Sequence, residues 1–319
     1  MRSLFRPGMI LLAFTAGYLI PSAAGYTFLI RYFLQIMLFI IFLQVRAQGL
    51  RPRKAHWLIL GANILIGLTA WGLLSLTGSR DLAHAAFFTG ITPTASAAPV
   101  IMRFLGGEVE FVVTSFLTTN VGVSLSLTGL IPLVTGNFTL DFLLNVAWNL
   151  FCLIGIPMTA AFVLRRILPK VSEYASKLSN FSFLLWICML FLTAASASAY
   201  IRKSAVSPLI LLEIAGLSAA ICAVNFTLGY FLPSDGRRRE SSQSLGQKNT
   251  MFTLSLAMTF SGPLAALGPT FYVLWHNLWN AAQMFLHDRR KNADSACENA
   301  AAGYIDDKTH RSEEHSGSK

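Results

Sequence analysis

The sequence predicts an all-α polytopic membrane protein of about ten transmembrane helices, arranged as two inverted five-helix repeats with interrupted helices at positions four and nine. Three observations predict it. Of the 319 residues, 54% are hydrophobic and only 13% charged, against roughly 25% charged in water-soluble domains. The apolar residues come in runs about 20 residues long, the length that crosses a bilayer as a helix. The Lys and Arg residues gather in alternate loops between those runs.

Backbone groups in lipid must bond within their own segment, so runs of this length are helices. A membrane β-barrel would show alternating segments of ~10 residues, and none stands out. The spans fall at about 8–22, 26–44, 56–77, 82–102, 110–134, 139–164, 180–200, 206–232, 250–267 and 270–286. Residues 1–135 then form the first repeat, 136–287 the second, and 288–319 a polar, mixed-charge cytoplasmic tail with the composition of a disordered segment.

Orientation follows from the basic residues. With the N-terminus inside, 21 of the 25 Lys and Arg lie in cytoplasmic segments, among them Arg237, Arg238, Arg239 and Lys248. Arg80, Arg202 and Lys203 lie outside, and Arg31 falls within span two. This asymmetry places both ends in the cytoplasm of a bacterial inner membrane. The first span has a rival reading, because Arg2, Arg6, a short apolar run and Pro21-Ser22-Ala23-Ala24 resemble a signal peptide. The net charge of +10 is therefore a topology signal, and no nucleic-acid partner is expected. Cys152, Cys188 and Cys222 lie in apolar runs and Cys297 in the tail, with no metal-ligand or disulfide spacing. No metal or other cofactor is expected.

Two spans carry helix breakers. Span four contains Thr92-Pro93-Thr94-Ala95-Ser96-Ala97-Ala98-Pro99, and span nine contains Thr259-Phe260-Ser261-Gly262-Pro263. Proline removes a backbone donor and clashes with the preceding turn. Fourth and ninth of ten are equivalent places in two five-helix halves, and an odd number of helices inverts the second half. Paired interruptions at such places point to a transporter's binding site, where half-helix ends present backbone groups and dipole charge. Span five adds Thr114, Ser115, Thr118, Thr119, Asn120, Ser124 and Ser126. Serines and threonines often satisfy their own helix backbone; Asn120 is harder to account for that way.

These stretches resemble the bile acid:sodium symporter family, within the bile-acid/arsenite/riboflavin transporter group. The likeness lies in Pro93 with Thr94-Ala95-Ser96, in Leu105-Gly106-Gly107-Glu108-Val109, in Gln247-Lys248 before span nine, in Ser261-Gly262, and in Trp275-His276-Asn277. It implies the ten-helix inverted-repeat fold and symport of an organic, amphipathic or anionic solute. The sodium-site residues of the family are largely absent. Ala97 stands where the family has Asn; aligned on Ser261-Gly262, Ser255, Thr259 and Phe260 stand where it has a carboxylate, Gln and Asn; the nearest polar residue to its helix-three Gln is Asn63. Neutral hydroxyls compensate poorly for a sodium ion's lost hydration, so sodium coupling is not expected.

Glu213, a turn or two inside span eight, is the carboxylate expected to lie in the membrane and a candidate for proton coupling, with Ser255 as a second coupling residue. Arg31 either attracts an anionic solute or snorkels to the outer headgroups. Asn145, Asn149 and Asn225 read as packing residues. No His-Glu-x-x-His, Gly-x-Ser-x-Gly or phosphate-cradling Gly loop appears, so an enzyme is not expected. The expected function is a secondary transporter of a small organic solute. Thr94, Ser96, Asn120, Thr259, Ser261, His276 and Asn277 would bind it. The alternative is a non-transporting membrane sensor or assembly subunit that keeps the transporter fold.

Overall fold

A computed structural model describes residues 2–44, 50–95, 97–204, 207–233 and 236–287. The expected tail 288–319 and the candidate Ser96 lie outside the described residues. The chain divides into two compact units, Met1–His276 and Asn277–Lys319. Among the described residues the first unit is helical throughout, and its β structure is one isolated bridge.

The order is α1 (Arg2–Leu19), a 3-10 turn (Pro21–Tyr26), α2 (Leu29–Gln44), α3 (Lys54–Ser75), α4 (Arg80–Gly90), α5 (Ala98–Phe104) and α6 (Val109–Thr135). Then come α7 (Leu140–Leu150), a π-helical turn (Phe151–Gly155), α8 (Ile156–Ile167), α9 (Val171–Lys177), α10 (Ser179–Ser204), α11 (Pro208–Phe231), α12 (Arg238–Gly246) and α13 (Thr250–Phe260). A last helix, α14, starts at residue 263 and occupies the rest of the unit to His276. Residues 277–287, which open the second unit, are helical.

Five helical stretches are long and apolar enough to cross a membrane: Lys54–Ser75, Val109–Thr135, Leu140–Ile167, Phe181–Tyr200 and Pro208–Phe231. Their outward faces carry exposed Leu65, Leu73, Leu125, Trp148 and Leu212, a surface suited to lipid rather than water. Sequence-local signals set the ends. Ser79 Oγ accepts from Leu82 N–H at the start of α4, and Thr139 Oγ1 from Phe142 N–H at the start of α7, each satisfying an orphan donor of a first turn.

Leu140–Ile167 contains a π turn, Phe151–Gly155. In i→i+5 spacing the carbonyl of Cys152 would accept from residue 157, which is a proline without an N–H. Gln35 of α2 supplies the missing donor, its Nε2 donating to Cys152 O at 2.8 Å. Nearby, Arg31 donates to Asn149 Oδ1 at 3.0 Å. Arg31 thus ties α2 to α7, and Asn149 is the packing residue expected of it. An apolar groove of about 520 Å³ runs along α8, lined by Phe151, Ile156 and Val163 among others.

Span four is interrupted as expected, between α4 and α5. The second half differs from expectation. The stretch Arg238–Gly246, read from sequence as part of a basic cytoplasmic loop, is a helix whose Ser241, Ser242, Gln243 and Ser244 are buried. The interruption that follows it lies at 247–249. Ser261-Gly262-Pro263 is the tight turn that separates α13 from α14, where Gly262 takes a φ of +107°, a value open to glycine at little cost.

Candidate functional site

The two interruptions meet. Thr94 and Lys248 form the antiparallel bridge, with Ala95 N–H donating to Gln247 O at 2.7 Å and Asn249 N–H to Pro93 O at 2.8 Å. Unwound backbone away from water must find partners, and here each break satisfies the other.

Helix α6 completes the accounting. Thr94 N–H donates to Thr119 Oγ1 at 3.1 Å, and Asn120 Nδ2 donates to Thr94 O at 2.9 Å. The same Asn120 amide reaches Phe116 O at 2.8 Å, and its Oδ1 accepts from Asn249 Nδ2 at 3.4 Å. Thr94 Oγ1 donates to Ser244 O at 2.6 Å, on the last turn of α12. Thr92 Oγ1 lies 2.7 Å from Thr253 Oγ1 of α13. Thr92, Thr94, Thr119, Asn120 and Thr253 are fully buried. Other hydroxyls of α6 back-bond to their own helix, Thr114 to Glu110 O and Ser126 to Gly122 O, as membrane-helix hydroxyls commonly do.

A buried lysine completes the crossing. Lys248 is buried, and its Nζ donates to Asn63 Oδ1 of α3 and, at 3.3 Å, to Gly90 O at the end of α4. Sequence reading placed this lysine in a cytoplasmic loop by its charge. The structure overturns that, because α12 carries the chain inward before Lys248. The contact depends on close helix approach. A Cβ on Gly90 would lie 2.8 Å from the Cα of Gly67, and one on Gly67 would lie 2.7 Å from Ile91 Cβ. Paired small residues let membrane helices approach this closely, which sets the α4 terminus against the middle of α3.

Of the expected solute-binding residues, Thr94 and Asn120 come together at the crossing, and their polar groups bond to protein. The partner of the first break is 247–249, upstream of the expected Thr259–Pro263 segment. Thr259 is exposed and donates to Ser255 O at 2.8 Å, one turn back on α13. Ser261 is half-buried with its Oγ unpartnered. His276 is buried, its ring edge-on to Tyr272 at 5.5 Å and its Nδ1 unpartnered. Asn277 belongs to the second unit. Glu213 is exposed on the first turns of α11, and Ser255 is buried on α13.

Sequence reading missed Thr92, Ser244, Lys248, Asn249 and Thr253 as crossing residues, and noted Asn63 only as a departure. A lysine followed by a span start was the available signal, and the charge count absorbed it. At the cytoplasm-expected edge, Glu108 pairs with Arg237 at 2.6 Å and Arg53 at 3.4 Å, and Glu240 accepts from Glu108 N–H at 3.0 Å. No family model matches the chain, and no curated protein matches it in sequence.

Proposed function

We propose that this protein is an inverted-repeat secondary transporter of a small organic solute, working by alternating access and without sodium coupling. The observation that carries the reading is the bridge between 93–95 and 247–249. Two interrupted helices, α4–α5 and α12–α13, meet at their breaks, each preceded by a long apolar helix (α3, α11) and followed by a further helix (α6, α14). Paired discontinuous helices of this kind mark the substrate region of inverted-repeat transporters. The resemblance in Pro93-Thr94-Ala95 and Gln247-Lys248 points to the bile acid:sodium symporter family, which suggests an anionic or amphipathic solute.

Thr94 and Asn120 hold the crossing together. Ser261 Oγ and His276 Nδ1 are the expected residues that keep an unspent polar atom for a solute. Both ends of the chain lie in the cytoplasm of a bacterial inner membrane in this reading, with ten spans. Uptake into proteoliposomes tests it, using a panel of organic acids, bile acids included, under sodium, potassium and pH gradients. Uptake of one class that ignores sodium is expected. Sodium-driven uptake contradicts the coupling, and no uptake of any member contradicts the transport reading for these solutes.

A second reading is favoured by one observation. The backbone groups of Pro93, Thr94 and Ala95 at the crossing are taken by protein partners, as in a crossing kept for rigidity. That suits a non-transporting sensor or assembly subunit on the same fold.

A further inference from the structure

We infer that the ammonium of Lys248 is a built-in cation, filling from within the chain an oxygen-lined site at the crossing that suits an exchangeable monovalent cation.

Lysine is rarely buried without a charged partner, yet Lys248 is only 1% exposed. Its Nζ donates to two neutral oxygens, Asn63 Oδ1 and Gly90 O. The ion pairs of Glu108 lie away from Lys248, at the start of α3. Neither oxygen belongs to a carboxylate, so at these contacts a carboxylate does not balance the charge.

A helix end does. Helix α4 ends at Gly90, whose carbonyl is one of the two ligands. A helix C-terminus carries roughly half a negative charge on its unsatisfied carbonyls. In broken-helix transporters such ends and unwound carbonyls hold coupling cations. Here the end of α4 meets an amide oxygen, and that ligand set, oxygens without hydrogens to donate, is one an alkali ion or an ammonium ion satisfies equally. The tether removes the need to capture a cation from solution. Resting on the transporter reading above, this makes the crossing cation-independent: the site is always full.

Stability of the purified full-length protein in detergent tests the assignment without any transport measurement, so its failure and that of the transport reading are distinguishable. Thermal unfolding is followed at constant ionic strength while choline is replaced by sodium, potassium, ammonium or methylammonium. The wild-type Tm is expected to be flat across the series. Lys248→Met, which fills the space but leaves both oxygens unpaired, should melt several degrees lower and respond to none of the ions. Lys248→Ala should also melt lower, and ammonium or methylammonium should restore part of the loss in a concentration-dependent way. Asn63→Asp, in a chain that keeps Lys248, should melt higher than wild type, because a carboxylate now faces the ammonium; this variant carries the test if the Lys248 variants do not fold. The inference is overturned by a wild-type Tm that rises with sodium or potassium, by Lys248→Met as stable as wild type, by Lys248→Ala indifferent to all four cations, or by Asn63→Asp melting lower than wild type.

Discussion

Asn120 donates to the carbonyl of Thr94 at 2.9 Å while Thr94 donates its own N–H to Thr119. Two neighbouring residues of α6 therefore hold both backbone groups of the residue at the centre of the first break. Replacing Asn120 by Ala leaves the Thr94 carbonyl buried and unpaired, which costs about 1–3 kcal/mol. Asn120→Ala should lower the Tm in detergent, and Asn120→Asp should lower it too, since the carboxylate has no N–H to give. Unfolding followed by tryptophan fluorescence reads both.

The Gly67–Gly90 contact predicts a contrast between two glycines of one helix. A methyl at Gly67 meets backbone and Cβ atoms of Ile91 at 2.7–3.1 Å, whereas a methyl at Gly61 meets nothing within 4 Å. Gly67→Ala should destabilise by about 1–3 kcal/mol, the usual cost of overpacking. Gly61→Ala should be neutral or stabilising, given alanine's higher helix propensity. Equal effects of the two in a thermal melt would contradict the close α3–α4 approach.

Gln35 satisfies the Cys152 carbonyl that Pro157 leaves without a donor. Gln35→Leu should therefore destabilise by about 1 kcal/mol, and more than Gln35→Glu assayed at acidic pH, where a protonated carboxyl again offers a donor. Denaturation of the two variants at pH 4 and pH 8 measures the difference. Measured against wild type at the same pH, only the Glu variant's deficit should change with pH.

At the other end of α3, Glu108 joins Arg53 and Arg237, with side chains 28–43% exposed. Exposed pairs contribute about 0–1 kcal/mol and are screened by salt. Glu108→Gln should cost no more than that at low salt, and the difference from wild type should shrink in 1 M salt, where the Debye length is about 3 Å.

The long spans were legible because lipid demands contiguous apolar residues. Lys54–Ser75, Val109–Thr135 and Pro208–Phe231 lie within a few residues of their expected bounds. The first break was legible for a related reason: two prolines six residues apart leave backbone groups that only a neighbouring polar helix can satisfy, and Asn120 stood out in α6. Helix α12 was not legible. Arg237-Arg238-Arg239-Glu240-Ser241-Ser242-Gln243-Ser244 has the composition of a loop, and its serines are buried by contact with α11 rather than by apolarity. Ser242 Oγ, for example, donates to Phe226 O at 2.7 Å. Once α12 was read as loop, Lys248 became a topology charge and the second break moved to the first Gly-Pro pair after it, Gly262-Pro263. That pair makes a turn between helices, which local sequence does not distinguish from an interruption within one.

The crossing itself is open to one direct measurement, oxidative cross-linking in membranes of a variant lacking the four native cysteines. Cysteines at Ala95 and Gln247, opposite each other across the bridge and joined by a 2.7 Å backbone hydrogen bond, should form a disulfide, because facing residues in an antiparallel pair lie about 4.5–5.5 Å apart at Cα, within disulfide range. Cysteines at Ala95 and Ser261, the pairing read from the Gly-Pro signal, should not. Cross-linking of Ala95 with Ser261 in place of Gln247 would contradict the crossing at 247–249, and with it the placement of Lys248 and the transporter reading built on them.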